Sequence, residues 1–310
     1  MKLTRREYLG MTLTAGAAVA LDTRLLSAQG GTMMTRPIPK TGERVPVIGV
    51  GTNNFGAQGE DEIAPRREVL RLMVDNGASV IDTARVYGRG RAEEVIGQII
   101  RELDVRDEVF IATKVGTPAT REDAISMLEA SLRALGVDRV PAMRAHSVDG
   151  AGILFPILRE WKKAGRIKYF GATTVNDRQY AEIERQIRNE DVDIIEIDYS
   201  VVNRSAAERV LPLAQDHGVA VMTATPFGGR RGNVLPRVVS RSLPDFASDI
   251  GATSWAQLCL KYNLSHPAVT VVIPGTTNPQ HMVDNLGAGR GELPDADIRR
   301  RIERIFDELG

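Results

Sequence analysis

The chain has 310 residues, 43% hydrophobic and 26% charged, enough apolar material for a large core in one large domain or two small ones. Its 40 basic and 40 acidic residues cancel, which gives no electrostatic reason to expect nucleic acid or an anionic membrane surface as partner. The single cysteine, Cys259, excludes an intrachain disulfide and a thiolate metal cluster; the helical spacing of its apolar neighbours makes it a small buried residue rather than a nucleophile.

At the N-terminus, Thr4-Arg-Arg-Glu-Tyr-Leu-Gly10 leads into the weakly apolar run Met11–Leu21. An arginine pair before an aromatic-leucine pair and a modest apolar stretch resembles a twin-arginine export signal, too short for a permanent membrane span. Residues 1–31 are therefore expected to be a signal segment removed near Ala28, with the export machinery as partner and the periplasm, or another exported location, as destination. The alternative is an unstructured N-terminus with an accidental arginine pair. Residues 32–310 are expected to form the folded domain.

Thr41–Arg44 reads as a turn between two short extended pieces, and Val45-Pro-Val-Ile-Gly-Val-Gly51 as a buried strand. From there strand-like and amphipathic runs alternate. The strand candidates are Val47–Gly51, Ser79–Asp82, Val109–Thr113, Ala142–His146, Lys168–Ala172, Ile194–Asp198, Val219–Thr223 and Val269–Ile273. Between and after them, apolar residues three to four apart predict helices over Pro65–Asn76, Ala92–Glu102, Arg121–Leu135, Ile153–Ala164, Asp177–Asn189, Ala206–His217, Ser254–Ser265 and Pro279–Leu286. Thr120 is a candidate N-cap, and Gly77, Gly136, Gly165 and Gly218 stand where left-handed helix ends are wanted.

Strict alternation implies a parallel sheet with right-handed crossovers, and eight such units predict a closed (β/α)8 TIM barrel with an N-terminal β-hairpin. An open doubly wound sheet shares the pattern, but Gly49-Val-Gly51 lacks the third glycine of a dinucleotide-binding turn. Pro226–Gly251 is a long loop at the end where such barrels bind ligands, and Leu293–Leu309 is an added C-terminal helix. No internal sequence repeat accompanies the alternation.

Asp82, Tyr87, Lys114 and His146 each fall at or just beyond the end of a strand candidate, so a parallel sheet gathers them at one mouth. A hydride added to a carbonyl leaves an alkoxide that needs a proton donor. A tyrosine, with a pKa of about 10, serves poorly unless a nearby ammonium paired to a carboxylate lowers it; a histidine can orient the carbonyl oxygen. Any one of these residues has an ordinary structural reading, as cap, rim aromatic, surface charge or core group. The four in this order resemble the catalytic tetrad of the aldo/keto reductases. The likeness runs from about Arg36 to Leu309 and includes Arg91–Gly97, Gly165-Arg-Ile-Lys-Tyr-Phe-Gly171 and Val272-Ile-Pro-Gly-Thr-Thr-Asn278.

The resemblance implies a carbonyl or alcohol substrate, Tyr87 as acid/base, Lys114 with Asp82 tuning it, and His146 orienting the substrate. It implies NADP(H), with NAD(H) as the other candidate, held by Thr52, Thr173, Thr174, Glu196, Pro226, Phe227, Gly228, Gly275, Thr276, Thr277, His281 and Asn285. No metal is required, and His146, His217, His266 and His281 lack paired ligand spacing. The chain departs from the family pattern in several places. Ala224 stands where a tyrosine commonly stacks on the nicotinamide, a contact of roughly 0.5–1.5 kcal/mol, and Glu196 replaces a glutamine. Gly275 and His281 replace a lysine and an arginine that clamp a 2′-phosphate, leaving the start of the Pro279 helix, Arg230 and Arg231 as further candidates.

Arg144 should point into the barrel by period-two alternation and meet Asp82, Glu196 or Asp198, and Arg85 should add charge near the mouth. Two explanations fit these departures: a pocket reshaped for a polar or anionic substrate, or one altered from an ancestral reductase. A barrel that binds ligand with little turnover, and Schiff-base chemistry at Lys114, are the competing functions.

Overall fold

The computed structural model describes residues 31–229 and 232–309, so residues 1–30 of the expected signal segment, together with Arg230 and Arg231, lie outside the described residues. Two short strands, β1 (Thr35–Pro37) and β2 (Arg44–Pro46), pair antiparallel. Eight strands follow, all parallel in neighbouring order: β3 (Gly49–Gly51), β4 (Val80–Asp82), β5 (Phe110–Val115), β6 (Val140–Ala145), β7 (Ile167–Thr174), β8 (Ile194–Asp198), β9 (Ala220–Ala224) and β10 (Val269–Val272). Parallel bridges Ile48 to Val272 and Gly51 to Gly275 join the last strand to the first. The sheet is thus the closed barrel expected from the alternation.

The helices are α1 (Glu60–Asp75), α2 (Arg91–Glu102), α3 (Arg121–Leu135), α4 (Ala151–Lys163), α5 (Tyr180–Asn189), α6 (Val210–Asp216), α7 (Leu235–Val238), α8 (Trp255–Leu264), α9 (Pro279–Gly287) and α10 (Ala296–Asp307). α3 shows why the boundaries fall where they do. The Thr120 side chain accepts from the Asp123 N–H at its start, and Gly136, at φ 68°, ends it by donating to Arg133 and Leu132. Among the described residues, no helix is long and apolar enough to cross a membrane.

Two expectations need correction. Val45–Gly51 is not one strand: Val45 and Pro46 belong to the hairpin, and the barrel strand begins at Gly49. The hairpin lies across the barrel's closed end, where Ile38 and Val45 pack on interior residues such as Val80, Phe110 and Ile194, so the chain must change direction to enter the sheet. α1 starts at Glu60 rather than Pro65. The acidic first turn, Glu60, Asp61 and Glu62, complements the positive end of the helix macrodipole, and Pro65 lies within the helix.

The barrel interior changes character along its axis. Its closed end is apolar, with Val80, Ala112, Ala142, Tyr169 and Met222. One layer higher the inward residues are Asp82, Lys114, Arg144 and Glu196, all buried. Small residues give these long side chains room and let the strands approach. A Cβ on Gly171, the β7 partner of Arg144, would lie 1.7 Å from the Ile194 carbonyl oxygen, so only glycine fits there.

Candidate active site

A cleft of about 720 Å³ opens at the C-terminal ends of the strands. Thr52, Asp82, Tyr87, His146, Thr173, Thr174, Glu196, Pro226, Phe227 and Gly275 all line it. Lys114 sits just beneath, fully buried. Phe227, Asn233 and Gly275 also line a second cavity of about 530 Å³, which Thr276, His281 and Asn285 border. Gly228 and Thr277 line neither. Gly228 is a buried turn whose N–H donates to the Thr225 carbonyl at 2.9 Å, with no space for a side chain under Gly232.

Lys114 Nζ donates to Asp82 Oδ2 at 2.6 Å and lies 3.1 Å from Glu196 Oε2 and 5.2 Å from the centre of the Tyr87 ring. The His146 ring meets the Tyr87 ring edge-on, with centroids 5.6 Å apart. Arg144 donates to both carboxylates, through one terminal nitrogen to Asp82 Oδ1 and the other to Glu196 Oε2. Asp198, the third partner considered for it, instead accepts from Asn203 and from Tyr180 at 3.3 Å.

These contacts set the protonation states. Burial would lower the Lys114 ammonium, but Asp82, Glu196 and Tyr87 outweigh it and hold it well above the ordinary lysine value. Burial and the positive charge of Lys114 bring His146 down to about 4, so its imidazole is neutral at neutral pH. Burial, with Asp82 and Glu196, holds the Tyr87 phenol above the ordinary tyrosine value although Lys114 pulls it down. The net lowering expected of the ammonium-carboxylate pair is not found, because burial of the phenol outweighs the lysine charge. Burial and the Glu196 charge raise Asp82, whereas Lys114 and Arg144 overcome burial to hold Glu196 below the carboxylate range. The two carboxylates share both cations and titrate as one unit.

Arg85 is not at the mouth. It turns to the outside of the sheet, where Nη1 lies 3.6 Å from Glu93 Oε2, and it lines a groove between α2 and α3. Gly90 leaves room for it, since a Cβ there would lie 1.9 Å from Arg85 Nη1. Arg144 is fully buried and lines no cleft. Neither arginine therefore lines the main cleft.

Asn53, Asn54, Ser147, Asn176, Gln179 and Asn233 also line the main cleft, and Arg241 the second cavity. Several follow a strand end directly, a signal the alternation carried; Arg241 lies in the long loop and had none. Tyr87, His146 and Phe227 carry the rings among the described residues lining the main cleft, and Ala224 lines it without one. Cys259 is buried, its thiol pushed up to about 12 by burial. Among the described residues no group of three or more side chains is placed to hold a metal ion.

The two cavities, which share Phe227, Asn233 and Gly275 as lining, suit an elongated cofactor. Thr173 Oγ1 is buried without a hydrogen-bond partner at the edge of the main cleft, where it can pair with an amide. Arg241 and His281 border the other end, beside the N-terminus of α9, which suits an anionic group.

The family model described as the aldo/keto reductase family matches residues 47–305. The NADH-specific methylglyoxal reductase of Escherichia coli (strain K12) is 25% identical over 274 residues, covering 71% of this chain and 81% of its own length. Probable aldo-keto reductase 1 of Glycine max is 26% identical over 293 residues, 82% of each chain. A solved aldo-keto reductase from Klebsiella pneumoniae, in complex with NADPH, aligns with a TM-score of 0.73 at 25% identity, covering 89% of this chain and 96% of that one.

Proposed function

The chain belongs to the aldo/keto reductase family, and on that premise we propose that it is an NADP(H)-dependent oxidoreductase interconverting an aldehyde or ketone and an alcohol. The observation that carries the reading is the Lys114 ammonium, 2.6 Å from Asp82 and 5.2 Å from the Tyr87 ring centre, with His146 against that ring at the cleft floor. A bound nicotinamide supplies or accepts the hydride. Neutral His146 donates a hydrogen bond that fixes the carbonyl oxygen, and Tyr87 delivers the proton to that oxygen in reduction and removes it in oxidation. Lys114 lowers the cost of the phenolate.

Thr173, Thr174 and Glu196 would meet the cofactor's amide end, and Gly275, Thr276, His281, Asn285 and Arg241 its phosphate end. An ionised Glu196 accepts hydrogen bonds only, so it suits the amide NH2. Schiff-base chemistry would require a depressed Lys114 pKa, and its two carboxylate neighbours act in the opposite sense. Fluorescence titration with NADPH and NADH, then turnover of a carbonyl panel by parent and Tyr87→Phe protein, tests the reading. Tight cofactor binding without Tyr87-dependent turnover would support the binding-only alternative, for which the ring-free Ala224 is the motivating feature.

We further propose that the N-terminal segment exports the folded chain, loaded with cofactor where cofactor is made. Arg5 and Arg6 support this. Export undiminished by Arg5→Lys and Arg6→Lys together, read in the periplasmic fraction, would sink it.

A further inference from the structure

Lys114 and Arg144 are register partners on β5 and β6, and both meet the same two carboxylates. Lys114 Nζ lies 2.6 Å from Asp82 Oδ2 and 3.1 Å from Glu196 Oε2. Arg144 closes the figure from the other side, one terminal nitrogen on Asp82 and one on Glu196. The result is a ring of alternating charge, Asp82, Lys114, Glu196, Arg144, drawn from four strands and removed from water. A lysine-tuned tyrosine requires one ammonium and one carboxylate. Glu196 and Arg144 are additional.

Stability alone does not explain them. Buried ion pairs lose in desolvation about what they gain in attraction, and apolar residues of like volume often serve as well. We propose that Arg144 and Glu196 are positioning residues for Tyr87: Glu196 fixes the Lys114 ammonium from a second side, and Arg144 balances Glu196, so the floor beneath the phenol stays neutral. The inference rests on the reading of Tyr87 as the acid/base.

The geometry supplies the reason. An ammonium has three N–H groups in a tetrahedral array. With Asp82 alone Lys114 could pivot about one contact; with two carboxylates engaged, the direction of the third N–H is set. A second buried carboxylate also has a cost, because Glu196, like Asp82, opposes ionisation of the Tyr87 phenol. The planar guanidinium of Arg144 gives each carboxylate its own terminal nitrogen, whereas a lysine there would have to serve both through one nitrogen.

Charge therefore predicts effects of opposite sign. Glu196→Gln leaves the floor one unit positive and should ease ionisation of Tyr87; Arg144→Met leaves it one unit negative and should hinder it. The double variant is neutral again. The test follows the Cζ resonance of 13C-labelled tyrosine against pH, with the Tyr87 signal identified by its loss in Tyr87→Phe and the fold monitored by circular dichroism. The expected midpoint moves down by about one pH unit in Glu196→Gln and up by about one in Arg144→Met, about tenfold each in the proton equilibrium, and returns to the parent value in the double variant. Arg144→Lys should keep the midpoint but lose turnover about tenfold.

Shifts in the same direction, or none, overturn the proposal, because a purely structural ion pair would lower stability without inverting sign. If Arg144→Met does not fold, the step from Glu196→Gln to the double variant gives the same sign test. A parent without Tyr87-dependent turnover would refute the catalytic reading, while the phenol midpoints would still decide the charge ring.

Discussion

The Lys114 ammonium lies 5.2 Å from the centre of the Tyr87 ring, close enough for its charge to favour phenolate, and is held in place by Asp82 at 2.6 Å. His146 touches the same ring edge-on and is neutral, so proton donor and carbonyl-orienting group are separate side chains. Tyr87→Phe keeps the ring and its packing while deleting the proton. Its turnover should fall by about 10²–10⁴-fold, with NADPH affinity unchanged in fluorescence titration. Loss of cofactor binding in parallel would assign Tyr87 to the binding surface instead.

Removing Lys114 should damage the fold as well as the chemistry. Lys114→Met leaves Asp82 and Glu196 sharing Arg144 alone, all buried, and an uncompensated buried charge costs roughly 3–5 kcal/mol. Asp82→Asn combined with Lys114→Met restores balance and should recover much of that loss. Urea unfolding at neutral pH measures both. Equal stability of the single and double variants would refute the charge argument.

The barrel was legible because glycine-ended helices and short apolar runs alternate without interruption, and the inward direction of Arg144 followed because a strand has only two faces. Arg85 was misplaced for the same reason in reverse. β4 ends at Asp82, so alternation no longer governs the side chain three residues on, and its partner Glu93 belongs to another element. The start of α1 at Glu60 has no apolar periodicity to mark it; three acidic side chains, Glu60, Asp61 and Glu62, favour a helix ahead of Pro65 instead. The ring around Lys114 was half visible: Arg144 needed an anion, but that it would share both carboxylates with Lys114 depends on strand register.

Arg241 was invisible to periodicity because it lies in the long loop, and it carries the clearest prediction about the cofactor. It borders the second cavity with His281, Thr276 and Asn285, where a 2′-phosphate would be the added anion. Arg241→Ala should weaken NADPH binding by about tenfold, as expected for one charge-assisted contact, and leave NADH unaffected. Equal weakening of both cofactors would place Arg241 on a group common to them.

Glu93 predicts how stability changes with pH. It is fully buried behind β5, where Oε1 accepts from Thr113 at 2.7 Å and from Ser131, and Oε2 faces Arg85 at 3.6 Å. Burial raises its carboxyl from 4.5 to about 7, against the pull of those hydrogen bonds and of Arg85. The folded chain thus binds this proton more tightly than the unfolded chain. The stability it contributes is complete below the unfolded value of 4.5 and is lost as pH rises through about 7. The span corresponds to about 3 kcal/mol. Glu93→Gln cannot titrate, so its stability relative to the parent should rise by about that amount between roughly pH 5 and pH 8 in urea unfolding. A difference that stays flat over this range would mean that Glu93 is ionised throughout, with Arg85 as a full counter-ion.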